Sequence, residues 1–322
     1  MHTLYDCEKN DILIQNAKKR KNVKGSGIVA IVFEDHSEWV KRGKLVTFQI
    51  PMDPIPDKRM RTIRVWTPES YDGVRRFPVL YLHDGQVVFP EKANPAMGSW
   101  DCELRISELE PELQCMVVAV DTSDDRSNEL LPPLKPDLNF GGPRRPDAPK
   151  VNPLGGYYAD FIRDTLKPVI DANFMTLPDA AHTAVGGASM GGLESLYMTF
   201  KDPDVFGLSL DLSCGLGLLE AEDYLARIDA YDPGKLENVR FYLYTGDQGI
   251  EVLVFDYLIP LYRRMKDSLK LTNRQLCLIV DSRESHWGTS WGKVIQDGLR
   301  FLFREDNGVE TPNFGMPRPR KD

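Results

Sequence analysis

The segment VGGASMGG at 185–192 contains the pattern Gly-x-Ser-x-Gly, in which the residues are Gly187, Ser189 and Gly191. It follows a short apolar run that predicts a strand, and it opens a stretch with helical periodicity. A serine on such a strand-to-helix turn is presented on a tight bend, and glycines two positions away on either side relieve crowding. Free amides at the start of the helix favour a developing negative charge. The pattern predicts Ser189 as a nucleophile; a purely structural turn is the alternative.

A nucleophilic serine needs a base, and histidine serves most often in this role. Of the five histidines in the chain, only His286 follows Ser189. It lies in a polar loop, 281–288, after the apolar run 276–280, which predicts a strand. We therefore expect His286 to be the base, with an ordinary surface histidine as the alternative.

The acid that orients the histidine should lie between serine and histidine, at the end of a strand. The segment FYLYTGD predicts a strand that runs into a Gly-Asp turn and ends at Asp247. Asp247 is therefore the predicted acid. Asp211 in the preceding strand and Glu251 shortly after Asp247 are the alternatives, and Asp247 could instead cap a turn or the next helix.

Two backbone amides should bind the oxyanion that forms during acyl transfer. One belongs to the residue after the nucleophile, Met190, and the other to a loop after an earlier core strand. The predicted strand 79–82 runs into the sequence HDGQ at 83–86, where Asp-Gly indicates a sharp turn. This turn would leave the amide of Gln86, or that of Gly85, facing the pocket. The alternative is a structural turn in which the histidine and the aspartate bond each other and the backbone.

The strands that must position these residues are predicted by short runs of β-branched and aromatic residues. They lie at 28–33, 45–50, 62–66, 79–82, 116–120, 183–185, 208–212, 240–244 and 276–280. The first three are too close together for intervening helices, which predicts antiparallel strands at one edge of a sheet. The later runs alternate with helical stretches, of which the clearest are 190–200, 254–269 and 291–302. This alternation predicts an α/β fold with a mostly parallel central sheet and helices on both faces. Pro260 predicts a kink in the second helix or a later start.

The 322 residues, 42% of them hydrophobic, predict a single domain over 1–322, with an N-terminal extension at 1–26 and a Pro-rich loop at 131–154. The formal net charge of −8 argues against nucleic acid as a partner, because such a surface repels phosphates. No apolar run approaches the roughly 18 residues of a membrane helix. The acidic start is unlike a signal peptide, and the five cysteines show no paired spacing, so we expect free thiols and a cytoplasmic protein.

Together these motifs resemble the putative esterase family of α/β-hydrolases, which includes esterase D-like enzymes, feruloyl esterases, enterochelin-type siderophore esterases and mycolyltransferases. The resemblance spans about residues 44–305. It is carried by YLHDGQ at 81–86 with Phe89 and Trp100, by VAVD at 118–121 followed by Arg126, Glu129 and Pro132, by 187–192, and by His286-Trp287. It implies an α/β-hydrolase fold with Ser189, Asp247 and His286 as the triad and the amides of Gln86 and Met190 as the oxyanion hole.

The resemblance also implies a serine esterase that cleaves a small carboxylic ester through an acyl-enzyme, without a metal or cofactor. Acyl transfer by the same triad and a non-catalytic binding protein are the alternatives. The Pro-rich insert after Pro132 and the sequence Ser213-Cys214-Gly215 depart from better-known members, so the substrate stays open between carbohydrate, feruloyl and siderophore esters, as does the oligomeric state.

Six residues are candidates for substrate contacts. They are Gly85, Phe89, Trp100, Arg126, Trp287 and Trp291. The aromatic members would form a rim around the pocket, or else pack in the core. Arg126 belongs to the family motif that shapes the loop beside the pocket through an ion pair, with a plain structural role as the alternative.

Overall fold

The computed structural model describes residues 31–53, 55, 59–90, 98–133, 151–218 and 221–304. Its strands are β1 (Glu34–Asp35), β2 (Lys44–Pro51), β3 (Met60–Thr67), β4 (Val79–His83), β5 (Met116–Val120), β6 (Thr183–Ala188), β7 (Leu208–Leu212), β8 (Arg240–Gly246) and β9 (Leu276–Asp281). They form one sheet in the order β1-β2-β3-β5-β4-β6-β7-β8-β9. Pairing is antiparallel from β1 through β3 to β5 and parallel from β5 to β9. The predicted mostly parallel sheet with an antiparallel N-terminal edge is confirmed.

The first edge strand differs from its prediction. The predicted strand 28–33 lies partly outside the described residues, and the part that is described, 31–33, is not a strand. The ring of Phe33 packs instead against those of Phe48 and Phe174, with centroids 5.1 and 5.7 Å apart. The strand follows at Glu34–Asp35, whose residues are exposed. An edge strand needs only backbone pairing on one side, so its position has no apolar signature.

The helices are α1 (Gly85–Val88), α2 (Cys102–Ser107), α3 (Arg126–Glu129), α4 (Gly155–Asp160), α5 (Lys167–Asn173), α6 (Met190–Lys201), α7 (Ala221–Asp229), α8 (Glu251–Asp267) and α9 (Gly288–Phe303). A π-helical segment, Phe161–Leu166, joins α4 to α5. The three helices predicted from periodicity are α6, α8 and α9. Helix α8 starts before its predicted first residue and continues through Pro260, so the expected later start is wrong.

The sheet is covered by helices on both faces, as predicted. Side chains alternate along β4: Tyr81 joins the core that contains Leu193 of α6, whereas Leu82 joins the opposite core, which contains Leu299 of α9. All five residues of β4 are buried. A parallel strand covered on both faces has a continuous apolar sequence, and this explains the run at 79–82.

The register of the parallel strands brings their carboxyl ends to one edge. Ala188 pairs with Leu212, Leu212 with Tyr244, and Tyr244 with Ile279. Open α/β sheets bind their ligands outside the carboxyl ends of the strands. The residues that follow these four positions are therefore candidates for a common site.

Two buried carboxyl groups, Glu194 and Asp211, have few or no hydrogen-bond donors among the described residues. Glu194 on α6 is fully buried, and neither carboxyl oxygen has a hydrogen-bond partner within the described part of the chain. Burial raises the pKa of Glu194 well above its usual value, although Lys201 acts in the opposite direction. Burial likewise raises the pKa of Asp211, whose Oδ1 accepts a bond from Ser209 Oγ. Both groups therefore bind their protons more tightly than an exposed carboxyl group does.

Two further expectations concern cysteines and membrane segments. The described cysteines, Cys102, Cys115, Cys214 and Cys277, are buried and none of them is in a disulfide, and Cys7 lies outside the described residues. None of the helices in the described ranges has both the length and the apolar character needed to cross a bilayer.

Glu194 should make stability fall as pH rises. A carboxyl group with a higher pKa in the folded state contributes stability below its unfolded pKa, 4.5 here, and this contribution is lost as pH rises toward the folded pKa. The glutamine in Glu194→Gln does not ionise, so this variant escapes the loss. The free energy of unfolding of the variant minus that of the wild type should therefore increase by up to about 1.4 kcal/mol per pH unit between the two pKa values. Urea unfolding at pH 5 and pH 8 measures the effect. Exposed Glu112 provides the control Glu112→Gln; equal pH dependence in wild type and Glu194→Gln would contradict the prediction.

Candidate active site

Ser189 lies between β6 and α6, in a backbone conformation that side chains rarely adopt. Its φ is 59° and its ψ is −117°. The amide of Ser189 donates to the carbonyl oxygen of Leu212 at 2.8 Å. The carbonyl oxygen of Ser189 accepts from the amide of Gly215 at 2.9 Å. Strained residues of this kind persist where surrounding contacts over-determine them, and they cluster at functional sites. The residues after β7 therefore clamp the turn that presents Ser189.

The glycines around Ser189 permit a close approach of strand and helix. A Cβ at Gly187 would lie 2.7 Å from the carbonyl carbon of Gly191, and one at Gly192 would lie 2.9 Å from the carbonyl oxygen of Leu212. Both distances are too short for non-bonded atoms. Gly187 and Gly192 thus allow α6 to begin directly against the ends of β6 and β7.

His286 lies in the loop between β9 and α9, and its partner is Glu251. Its Nδ1 lies 2.9 Å from Glu251 Oε1, and the Glu251 side chain is fully buried. The edge of the His286 imidazole meets the Trp291 ring, with centroids 4.9 Å apart and planes at 85°. An ionised carboxylate accepts only, so Nδ1 carries the proton, and Nε2 is left with the lone pair.

Glu251 is held in the ionised form by three donors. Burial raises the pKa of Glu251, but hydrogen bonds from His286, Ser213 and Thr245 outweigh burial and leave the pKa below its usual value. Ser213 Oγ donates to Oε1 at 2.6 Å, and Thr245 Oγ1 donates to Oε2 at 2.7 Å. The N-terminus of α8, where Glu251 stands, also favours a negative charge.

These contacts connect Ser189 to His286 across the sheet edge. Ser189 is bonded through its amide to Leu212, and the next residue, Ser213, is bonded through its hydroxyl to Glu251, which holds His286. The turn that presents Ser189 and the Glu251–His286 pair are thus joined through the end of β7. Serine, histidine and a carboxylate are the residue types that together activate a hydroxyl nucleophile.

The prediction that Asp247 would face His286 is wrong. The Asp247 carboxylate accepts hydrogen bonds from the amide of Arg283 and from Gln248 Nε2, both at 2.6 Å. Its amide donates to the carbonyl oxygen of Glu284 at 3.1 Å. Asp247 thus anchors the loop that carries His286. Among the described residues, the carboxylate bonded to the imidazole comes from the first turn of α8 rather than from the strand end, and it is Glu251, one of the two alternatives.

Asp211, the other alternative, is also excluded as the partner of His286. Its side chain is fully buried, and its Oδ1 accepts a bond from Ser209 Oγ at 2.8 Å. Asp211 thus bonds a hydroxyl of its own strand, whereas Nδ1 of His286 is bonded by Glu251.

Two helix starts provide amides for an oxyanion. Met190 is the first residue of α6, and Gly85 and Gln86 are the first two of α1. Amides in a first helical turn have no intrahelical acceptor, which makes them available to an anion. The chain enters α1 through Asp84, whose φ is 58°, in the left-handed region. The structure thus places the predicted amides at helix starts that follow the adjacent strands β6 and β4.

Hydrogen bonds fix the turn after β4 to the loop after β5. Gln86 Nε2 donates to Thr122 Oγ1 at 2.9 Å, and Gln86 Oε1 accepts from the Thr122 amide at 3.1 Å. Arg126 makes two bonds to the Asp84 carboxylate, at 2.5 and 2.7 Å. The Arg126 ion pair lowers the pKa of Asp84, although burial acts in the opposite direction. His83 bonds Tyr158 rather than Asp84, so the predicted alternative of a His83–Asp84 bond is wrong.

Most of the predicted aromatic rim is core. Phe89, Trp100 and Trp291 are 1%, 2% and 4% exposed, so they do not form a surface for substrate. Trp100 packs edge-on against Trp291, which in turn supports His286. Trp287, at 44% exposure, is the aromatic residue of the four that faces solvent. Gly85 packs against β5, where a Cβ would meet Asp121 Oδ1 at 2.6 Å, and the Arg126 side chain is partly exposed.

Several apolar side chains that neighbour Glu251 and His286 along the chain are exposed, and we call them the α8 patch. It comprises Ile250, Val252, Leu253 and Phe255 at the start of α8, together with Trp287. Exposed apolar groups that lie together mark binding surfaces more often than scattered ones do.

Within the described ranges, no three His, Cys, Asp or Glu side chains are arranged to hold a metal ion.

Sequence reasoning missed the hydroxyl donors around Glu251. Ser213 directly follows β7 and Thr245 is the penultimate residue of β8. A signal was available, since both are small hydroxyl residues at the predicted carboxyl ends of adjacent strands. Both hydroxyls donate to Glu251 because the strand register brings them together, and short apolar runs in a sequence do not define that register.

Comparisons with known proteins agree with this geometry. A family model described as "Putative esterase" matches residues 57–253. An endo-1,4-beta-xylanase/feruloyl esterase of Xylanibacter ruminicola is 27% identical over 263 residues; the match covers 76% of this chain, which spans only 30% of that protein. A solved ferulic acid esterase has a TM-score of 0.58 at 18% identity, and the match covers 81% of this chain and 98% of the esterase chain.

The siderophore hydrolase EstA from Aspergillus nidulans has a TM-score of 0.57 at 19% identity, covering 82% of this chain and 95% of its own. At these identities the solved structures establish a shared fold. The family match covers more than half of the chain and includes both Ser189 and Glu251. This chain has the α/β-hydrolase fold and belongs to the putative esterase family of carboxylic ester hydrolases.

Proposed function

We propose that this protein is a serine hydrolase of carboxylic esters in which Ser189 is the nucleophile, His286 the base and Glu251 the acid. The observation that carries the proposal is the buried Glu251 carboxylate on His286 Nδ1, next to the strained turn that presents Ser189. This contact fixes the imidazole tautomer that can accept the serine proton.

In this mechanism Ser189 Oγ attacks the ester carbonyl while His286 Nε2 takes its proton. The amide of Met190 and that of Gln86 or Gly85 bind the oxyanion. The imidazolium then protonates the leaving alcohol, and the acyl-enzyme remains on Ser189. A water molecule, deprotonated by His286, then attacks the acyl-enzyme and releases the carboxylic acid product from Ser189. Glu251 stays ionised throughout and stabilises the imidazolium.

The substrate we propose is a small ester with an aromatic or other apolar group beside the scissile bond. The α8 patch supports this proposal, because its exposed apolar side chains neighbour Glu251 and His286 along the chain. The names of the relatives supply two substrate classes to test: feruloyl esters, and siderophores, for which a solved enterobactin esterase has a crystal structure in the presence of the aromatic fragment 2,3-dihydroxy-N-benzoyl-serine. None of the four buried cysteines is in a disulfide, which fits a reducing compartment, so we propose a cytoplasmic location.

Labelling by a fluorophosphonate probe tests the nucleophile. The probe should react with the wild type and not with Ser189→Ala, since a phosphonylated serine requires the activated hydroxyl. Intact-protein mass spectrometry measures the adduct. Labelling that does not depend on Ser189, or no labelling at all, would refute the hydrolase and leave a binding protein.

Two isosteric variants test the acid. Glu251→Gln should lower kcat for p-nitrophenyl acetate by about 10³-fold or more, because the imidazolium loses its counter-charge. Asp247→Asn keeps an acceptor for the Arg283 amide and should leave kcat close to that of the wild type. Circular dichroism confirms that both variants are folded. The opposite order of activities would restore Asp247 as the acid.

A panel of esters tests the substrate class. Trp287→Ala should raise KM for a hydroxycinnamate methyl ester or a catecholate ester of serine by about 3- to 10-fold, the usual contribution of one aromatic contact. KM for p-nitrophenyl acetate should stay unchanged, and Trp287→Phe should retain most of the aromatic preference. Equal changes for acetate and aromatic esters would contradict the proposed class.

A further inference from the structure

We propose that Ser213 is a positioning residue of the hydrolytic site, which acts by orienting the Glu251 carboxylate. This inference rests on the proposed function. The observation behind it is a closed ring of contacts that runs from Trp291 through Ser213 and Glu251 to His286 and back to Trp291.

Each contact of the ring is short and well defined. Trp291 Nε1 lies 2.8 Å from Ser213 Oγ, and Ser213 Oγ lies 2.6 Å from Glu251 Oε1. The same oxygen lies 2.9 Å from His286 Nδ1. The Trp291 ring then meets the imidazole edge-to-face. Ser213, Glu251 and Trp291 are buried, so water does not compete strongly for these bonds.

The chemistry of the groups fixes the direction of every hydrogen bond. An indole N–H donates only, so Ser213 Oγ must accept from Trp291. The hydroxyl proton of Ser213 is then directed to Glu251, which as a carboxylate accepts only. Trp291 therefore sets the orientation of the serine hydroxyl, and the hydroxyl sets that of the carboxylate.

The backbone of Ser213 supports a specific need for this side chain. Its φ is 48°, in the left-handed region, and its amide donates to the carbonyl oxygen of Tyr244 at 2.7 Å. Glycine, asparagine and aspartate are the residues that tolerate this conformation best. Glycine lacks a donor, and aspartate would add a second negative charge beside Glu251. A serine supplies a small hydroxyl donor in spite of the backbone strain.

In the part of the chain that the structure describes, Glu251 is the carboxylate hydrogen-bonded to His286, and three nearby carboxylates bond other groups. Asp247 accepts from the Arg283 amide, Glu284 bonds Ser290 and Lys293, and Asp211 lies against Ser209. Loss of the Ser213 donor should therefore change the proton affinity of the Glu251–His286 pair in particular. With one donor fewer the carboxylate binds protons more readily, so the pair becomes protonated at higher pH.

The test measures kcat and KM for p-nitrophenyl acetate against pH in Ser213→Ala and Ser213→Gly. Both variants should lose about 10- to 100-fold in kcat, the usual effect of one hydrogen bond to a charged group, with little change in KM. The acid limb of the kcat profile should move to higher pH by about one unit. Ser213→Gly also relieves the backbone strain, so its thermal stability should equal or exceed that of Ser213→Ala while its activity stays low.

A matched control is Ser209→Ala, which removes another buried hydroxyl, from β7, outside the ring. It should keep the wild-type pH profile. Titration of active sites with a fluorophosphonate separates a lower kcat from a lower folded fraction. Wild-type kcat and acid limb in both Ser213 variants, or the same shift in Ser209→Ala, would overturn the inference. Such an outcome leaves the hydrolase standing, whereas a wild type that neither turns over esters nor is labelled at Ser189 refutes both.

Discussion

Backbone hydrogen bonds between β6, β7, β8 and β9 place Ala188, Leu212, Tyr244 and Ile279 in one row. Because the four strands are parallel, the residues just beyond that row emerge at the same edge of the sheet. Ser189, Ser213 and Thr245 are such residues, although they are far apart along the chain. Helix α8 and the loop after β9 then bring Glu251 and His286 to this edge.

Three buried carboxyl groups in this protein differ in the donors that reach them. Glu251 receives bonds from His286, Ser213 and Thr245, and its pKa falls below the usual value in spite of burial. Asp211 receives one donor, from Ser209, and neither oxygen of Glu194 has a partner among the described residues, so burial raises both pKa values. Of these three carboxyl groups, Glu251 alone has hydrogen bonds that outweigh the effect of desolvation on its pKa. Glu251 is also the one of the three whose negative charge adjoins an imidazole.

The central strands and the three long helices could be predicted because their apolar patterns are regular. The first edge strand could not, since Glu34–Asp35 pairs through backbone alone and the apolar run before it leads Phe33 into the core. The pattern around Ser189 and the elimination of other histidines selected two site residues, and their catalytic roles stay predictions.

The acid and the aromatic rim were predicted incorrectly for physical reasons. A Gly-Asp turn after a strand is equally compatible with anchoring a loop, which is what Asp247 does. The length of the turn before α8 decides whether a strand-end or a helical carboxylate reaches the imidazole, and no local sequence pattern encodes that distance. Phe89, Trp100 and Trp291 are buried, because large aromatic side chains stabilise cores as readily as they line pockets.

The first turn of α8 directs Glu251 into the interior while Ile250, Val252 and Leu253 face outward. One turn of helix therefore carries both the carboxylate bonded to the imidazole and part of the α8 patch, to which the proposed function assigns substrate contact. Laboratory evolution of selectivity at these outward positions is constrained by helix propensity, since glycine or proline there would loosen the turn and displace the carboxylate. Exchanges among good helix formers separate selectivity from turnover.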